Sequence, residues 1–144
     1  METNKLYRGR LIDHVHLVVR DVKKSRRFYG AVFEVLGVPI FNEVDGQHFF
    51  ADELCVSGLE SPASAGELTG RVHLAFNAKD RATVDRFYAA GLEAGGKDRG
   101  KPGERKYHPG YYAGFLTDPD GNNIEAVYHG PAKWSAQAVE ITFG

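Results

Sequence analysis

The 144-residue sequence predicts an α+β domain built from two related halves. The first observation behind that reading is an ungapped repeat. His14 recurs as His73, 59 positions later, and the same offset carries Asp21 onto Asp80, Arg27 onto Arg86, Phe28 and Tyr29 onto Phe87 and Tyr88, Ala31 onto Ala90, and Gly37 onto Gly96. Self-similarity at a fixed spacing marks two copies of one supersecondary unit. The second observation is that each copy reads as a strand, a helix and then up to three short strands. Strands and helices ordered in this way, with antiparallel-leaning hairpins, place the chain in the α+β class.

The elements follow in order. Leu11 to Val19 (LIDHVHLVV) is short, β-branched and partly alternating, which predicts a strand carrying His14 and His16 on one face. Asp21 is suited to cap a helix whose apolar stripe is Val22, Phe28, Tyr29, Val32, Phe33 and Leu36, with Gly37 as its stop. Strands are expected at Ile40 to Val44, His48 to Ala51 and Leu54 to Ser57, the first two joined by an Asp45-Gly46 turn. Residues 58 to 70 are rich in Gly, Ser, Ala and Pro and read as a linker. The second half opens with RVHLAFNA, continues with a helix from about Asp80 to Ala94, and passes through a long polar loop, KDRGKPGERKYHPG. A strand at Tyr111 to Leu116, a tight Asp118-Pro119-Asp120-Gly121 turn and a strand at Asn123 to Tyr128 complete it. The predicted organisation is one domain over 1–144, with a first module at 11–57, a linker at 58–70, a second module at 71–130 and a tail at 131–144 containing the strand-like VEITF.

Composition narrows the function classes. A net charge of −1 and a pI near 6.6 are poor matches to a nucleic-acid-binding or anionic-membrane footprint. No apolar run approaches the roughly 20 residues that span a bilayer. The opening METNKLYRGR lacks the apolar core of a signal peptide. One cysteine, Cys55, cannot form an internal disulfide and suits a reducing compartment, so the expectation is a cytoplasmic protein.

His14, His73 and Glu125 stand out as chemistry-bearing residues on predicted strands. Two neutral imidazoles and a carboxylate suit a divalent first-row metal that keeps open positions for water or substrate. Read singly, each is equally a packed or solvated side chain. The repeat supports the metal reading, because it places His14 and His73 in equivalent positions.

The runs DHVHLVVRDVKKSRRFY, VHLAF and FLTDPDGNNIEAV together resemble the vicinal oxygen chelate superfamily, over roughly residues 11 to 130. That superfamily includes glyoxalase I, fosfomycin-resistance thiol transferases, extradiol dioxygenases and bleomycin-resistance binding proteins. The resemblance implies two tandem βαβββ modules forming a cup-shaped mixed β-sheet with flanking helices. It implies His14, His73 and Glu125 as ligands of a divalent metal, with Zn, Ni, Mn and Fe(II) as candidates. Glyoxalase I enzymes carry a glutamate on the last strand of the first module, where this sequence has Cys55, read either as an inert thiol or as a soft fourth ligand. His16 is the expected acid–base residue, with orientation of a ligand, substrate contact and simple hydration as its other roles. The polar loop offers His108, Tyr111 and Arg105 for substrate, with Arg99, Lys101, Tyr107 and Tyr112 nearby, while His129 has the parity of Glu125 near a strand end. The implied function is a glyoxalase-like metalloenzyme, a lyase or isomerase acting on a small oxygenated substrate. An Fe(II) dioxygenase and a metal-free small-molecule-binding protein are the alternatives. No nucleic acid or membrane partner is expected, and the resemblance implies a homodimer.

Overall fold

The computed structural model describes residues 5–136 and 138–143; residues 1–4 of the N-terminal segment, and 137 and 144 of the predicted tail, lie outside them. Among the described residues, ten strands and two α-helices follow in the order β1 (Lys5–Arg8), β2 (Val15–Val18), α1 (Val22–Leu36), β3 (Ile40–Val44), β4 (His48–Ala51), β5 (Leu54–Ser57), β6 (His73–Asn77), α2 (Arg81–Glu93), β7 (Lys97–Glu104), β8 (Tyr112–Thr117), β9 (Asn123–Tyr128) and β10 (Val139–Thr142). They form one four-stranded sheet ordered β2-β5-β4-β3, a second ordered β6-β9-β8-β7, and a separate β1-β10 pair. In each four-stranded sheet the first strand runs parallel to the last and the remaining pairs are antiparallel. This is the α+β fold of two βαβββ modules.

The chain parts into two compact units. One comprises the chain up to Lys23, Val38–Thr69 and the segment from Trp134 onward; the other comprises Lys24–Gly37 and Gly70–Lys133. In the first unit, Leu17, Val56 and Phe49 are register partners on adjacent strands and are almost wholly buried. Thr69 secures the end of the linker to β2, accepting from the Val18 amide at 2.7 Å and donating its own amide to the Val18 carbonyl at 3.0 Å.

The second unit draws most of α1 onto the sheet of the second module. Phe28, Tyr29 and Val32 of α1, Val84 and Phe87 of α2, and Leu116, Ile124 and Ala126 of the sheet are fully buried together. Gly91 of α2 allows this approach: a Cβ there would collide with Leu116 Cδ1 and come within 3.1 Å of Val32 Cγ1. Asp80 caps α2 by accepting from the Thr83 amide at 2.7 Å. The Asp118–Gly121 turn closes with Gly121 at φ +90° and is anchored by Tyr29, whose hydroxyl donates to buried Asp118 at 2.5 Å.

Three expectations change. β2 begins at Val15, so His14 lies just before the strand rather than on it. Its partner β5 starts at Leu54, and Val15 to Glu53 is the opening ladder bond, which leaves residues 11–14 without a strand to pair. The stretch read as a polar loop contains β7. As the sheet's edge strand it tolerates Pro102 and exposed charge, and two register shifts against β8 erase the alternation that marks a strand. A strand at Lys5–Arg8, absent from the sequence reading, pairs with the anticipated C-terminal strand.

Candidate functional site

The second module brings two of the nominated residues together. His73 opens β6 and Glu125 sits mid-way along β9, and the parallel register sets Glu125 opposite Ala75, two residues beyond His73. Residues i and i+2 share a face, so His73 and Glu125 project from the same side of the sheet. His73 Nε2 lies 2.8 Å from Glu125 Oε1. The carboxylate is only 3% exposed while the imidazole is 52% exposed.

A buried carboxylate needs compensation by hydrogen bonds or a cation. Glu125 receives it from His73 on one oxygen and from the Tyr111 hydroxyl on the other, at 2.5 Å. Burial, followed by the hydrogen bond to Glu125, pushes the Tyr111 phenol well above its usual range, so it remains a donor. Tyr111 also meets His108 and His129 edge-on, and those two rings are stacked with His108 Nε2 2.9 Å from His129 Nδ1. His108 Nδ1 faces the Pro109 carbonyl at 2.9 Å, which fixes the proton on that nitrogen and leaves Nε2 as the acceptor in the neutral ring. Arg105 lies over the Phe115 ring at 5.3 Å, and Phe115 in turn contacts His73 at 6.0 Å between ring centroids. The Arg105 guanidinium also donates to the carbonyls of Lys101 and Glu104. It is thus held by the protein rather than extended toward a ligand.

His14, His16 and Cys55 belong to the other compact unit. His14 Nδ1 pairs with Asp13 at 2.7 Å, and that hydrogen bond is the main reason the Asp13 carboxyl is held low. His16 Nε2 lies 2.6 Å from Ser57 Oγ, a partner the sequence reading missed although strand parity would have placed it on this face. Desolvation, then the neighbouring His14, lowers the His16 imidazole below its ordinary 6.5 and favours the neutral base. Cys55 is the register partner of His16 and so shares its face. Burial pushes its thiol up, which disfavours the thiolate required of a soft ligand.

Of the residues read as metal donors, His73 and Glu125 stand together. His73 and Glu125 present an imidazole nitrogen and a buried carboxylate oxygen toward one another, a donor pair suited to a borderline divalent cation. Among the described residues, no group of three or more His, Cys, Asp and Glu gathers to hold one. Beside His73 the sheet carries an open pocket of about 220 Å³, lined by Arg71, Val72, His73, Arg99, Gly121 and Asn123. Arg71 and Asn123 had not been singled out. Arg71 stands two residues before His73, a spacing that was legible.

A protein-family model described as the Glyoxalase/Bleomycin resistance protein/Dioxygenase superfamily matches residues 11–126. The chain belongs to that superfamily. A glyoxalase/bleomycin resistance protein from Albidiferax ferrireducens T118 is 30% identical, with 81% of this chain and 98% of that one covered at a TM-score of 0.66. A glyoxalase-related enzyme from Fulvimarina pelagi shares the fold at 19% identity and a TM-score of 0.69, covering 90% and 97% of the two chains. A lactoylglutathione lyase from Agrobacterium tumefaciens does so at 21% identity and 0.57, covering 83% and 93%. No curated protein matches. No described helix is long and apolar enough to cross a membrane.

Proposed function

We propose that this chain is a small glyoxalase-like metalloenzyme of the lyase or isomerase type, with a divalent metal seated on His73 and Glu125. The observation that carries the reading is the buried Glu125 carboxylate, held between His73 Nε2 at 2.8 Å and the Tyr111 hydroxyl at 2.5 Å. Burying a carboxylate is costly, and a sheet interior retains one where it serves a cation or a reaction. Bound there, the metal would supply Lewis-acid stabilisation to an oxyanion developing on a chelated substrate.

The chain's own groups have separable tasks. Tyr111, kept protonated, donates to Oε2 and orients the carboxylate so that Oε1 faces His73. His108 and Tyr111 border the same site and suit substrate contact, while Arg105 braces Phe115 beneath His73. In the first unit, His14 is the donor that repeat symmetry nominates, with Asp13 on its Nδ1 and Nε2 left for coordination. In the same unit, His16, neutral near pH 7, is the proton acceptor, and Cys55 is at most a soft donor. The same donor set would serve Fe(II) in a dioxygenase, and the metal found would direct the choice among substrates. The protein is further read as a cytoplasmic homodimer, the first on the strength of its single buried cysteine.

A second reading, a metal-free small-molecule-binding module, is supported by the bleomycin resistance proteins that the matching family description includes. Elemental analysis of untagged protein separates the two. The metalloenzyme reading expects near-stoichiometric transition metal in the wild type, lost in His73→Ala and in the near-isosteric Glu125→Gln and reduced in His14→Ala, with circular dichroism unchanged. Wild-type protein that is metal-free and refuses added Zn, Ni, Mn and Fe(II) would leave the binding module as the better account.

A further inference from the structure

The pocket beside His73 is lined by two arginines that pair with none of the described residues. Arg71 precedes β6 and Arg99 lies on β7, and both line it together with His73, Gly121 and Asn123. Arg105 is committed to carbonyls and to Phe115, and Arg81 to Glu104. Arg71 and Arg99, by contrast, make no ion pair or side-chain hydrogen bond among the described residues. Two exposed arginines lining one concavity offer a site for an oxyanion, which each guanidinium can grip through a planar fork of donors. A further group asks for a ligand. Asn123 Oδ1 is buried and has no hydrogen-bond partner, and an orphaned buried acceptor in a pocket wall calls for a donor.

We infer that this pocket binds a small oxyanion, a carboxylate or a phosphate, that carries a neighbouring hydroxyl. Arg71 and Arg99 take the anionic group and Asn123 accepts from the hydroxyl. His73 lines the same pocket, so a ligand anchored there presents its remaining atoms to the His73–Glu125 pair. The inference rests on the proposed reading insofar as the ligand is the substrate of that pair. The anion site itself does not depend on a metal. It extends substrate recognition from the polar stretch that carries Arg99 to Arg71, ahead of β6, and Asn123, beside the Asp118–Gly121 turn.

The test is a ¹⁵N-resolved NMR titration of the full chain with inorganic phosphate, glycolate and acetate, each at fixed ionic strength, following the Val72, Gly121 and Asn123 amides. Saturable shifts are expected, with Kd on the order of 1–10 mM for a ligand this small. Glycolate should bind more tightly than acetate by roughly 3–10-fold, reflecting the hydroxyl given to Asn123. The double variant Arg71→Gln/Arg99→Gln should weaken binding by about 10–100-fold while the remaining spectrum stays native. Saturation by phosphate or by glycolate supports the site and tells which oxyanion it prefers. Shifts that do not saturate, or that survive in the double variant within about 2-fold, overturn it. The metal reading fails separately. Anion binding retained in a wild type that takes up no metal would keep this site and remove the metalloenzyme, whereas metal uptake without any anion binding would do the reverse.

Discussion

Removing the hydroxyl of Tyr29 tests how the second module positions its site. The Tyr29 ring is fully buried, edge-on to Phe28 at 5.0 Å and stacked on Phe33 at 5.7 Å, and Tyr29→Phe retains all of that packing. What it deletes is the 2.5 Å hydrogen bond to Asp118, itself 4% exposed. Asp118 also accepts from the Asp120 amide at 2.9 Å, the Asn122 amide at 2.8 Å and Asn122 Nδ2 at 2.9 Å. The carboxylate is therefore weakened rather than orphaned, so the cost is that of one hydrogen bond to a charged group, about 1.5–3 kcal/mol. For a chain of this size that corresponds to a Tm lowered by roughly 4–10 °C. Urea unfolding gives the stability, and hydrogen exchange gives its location. Asn122 Oδ1 accepts from the Val72 amide at 3.0 Å, one residue before His73, so the loss should appear as weaker protection at Val72. A loss below about 0.5 kcal/mol, the range of an ordinary surface change, with Val72 protected as before, would refute the claim that this chain of bonds sets the position of His73.

Two further outcomes follow from packing and charge. Gly91→Ala should destabilise by about 1–3 kcal/mol in denaturant titration, because overpacking where α1, α2 and β8 meet outweighs the roughly 0.5–1 kcal/mol that Ala gains over Gly in a helix; no loss would mean the helices separate freely. His16 should titrate below 6.5 by NMR, since burial disfavours its charged form. The folded state then binds fewer protons than the unfolded one between its lowered value and 6.5, so stability rises with pH across that window and falls as pH drops below 6.5. His16→Gln should flatten that part of the stability curve.

Legibility in the sequence followed local physics. β3, β4 and β5 have the bounds that apolar composition and the Asp45-Gly46 turn set for them, because hairpins carry their register in short-range signals. Both helices end where glycine enters the left-handed region, Gly37 at φ +76° and Gly95 at φ +102°. β7 was not legible, since an edge strand buries little and bulges break its period. The His73–Glu125 contact was legible only as two strand residues of suitable chemistry. That Tyr111, fourteen residues before Glu125, would meet its second oxygen depends on a loop whose Tyr111 carbonyl accepts from the Arg105 amide at 2.9 Å, and no spacing rule foretells that closure.

The ladder registers show how one duplicated unit came to pair two different sets of side chains. In the second module the residue two beyond the repeated histidine is Ala75, and its partner on the adjoining parallel strand is Glu125. In the first module the same slot pairs His16 with Cys55. Cys55 is therefore the positional counterpart of Glu125, an equivalence that the 59-residue offset misses, because it carries Cys55 to Gly114. The exchange has electrostatic consequences. A carboxylate is charged at neutral pH and can hold a cation, whereas a thiol raised by burial stays neutral and serves neither as hard ligand nor as base. The first module compensates at the partner position. Where the second has an alanine, it has His16, with Ser57 at 2.6 Å and a lowered proton affinity that leaves it able to accept a proton. Divergence at two paired positions thus gives one module a buried carboxylate and the other an imidazole of lowered proton affinity, without altering the ladder that carries them.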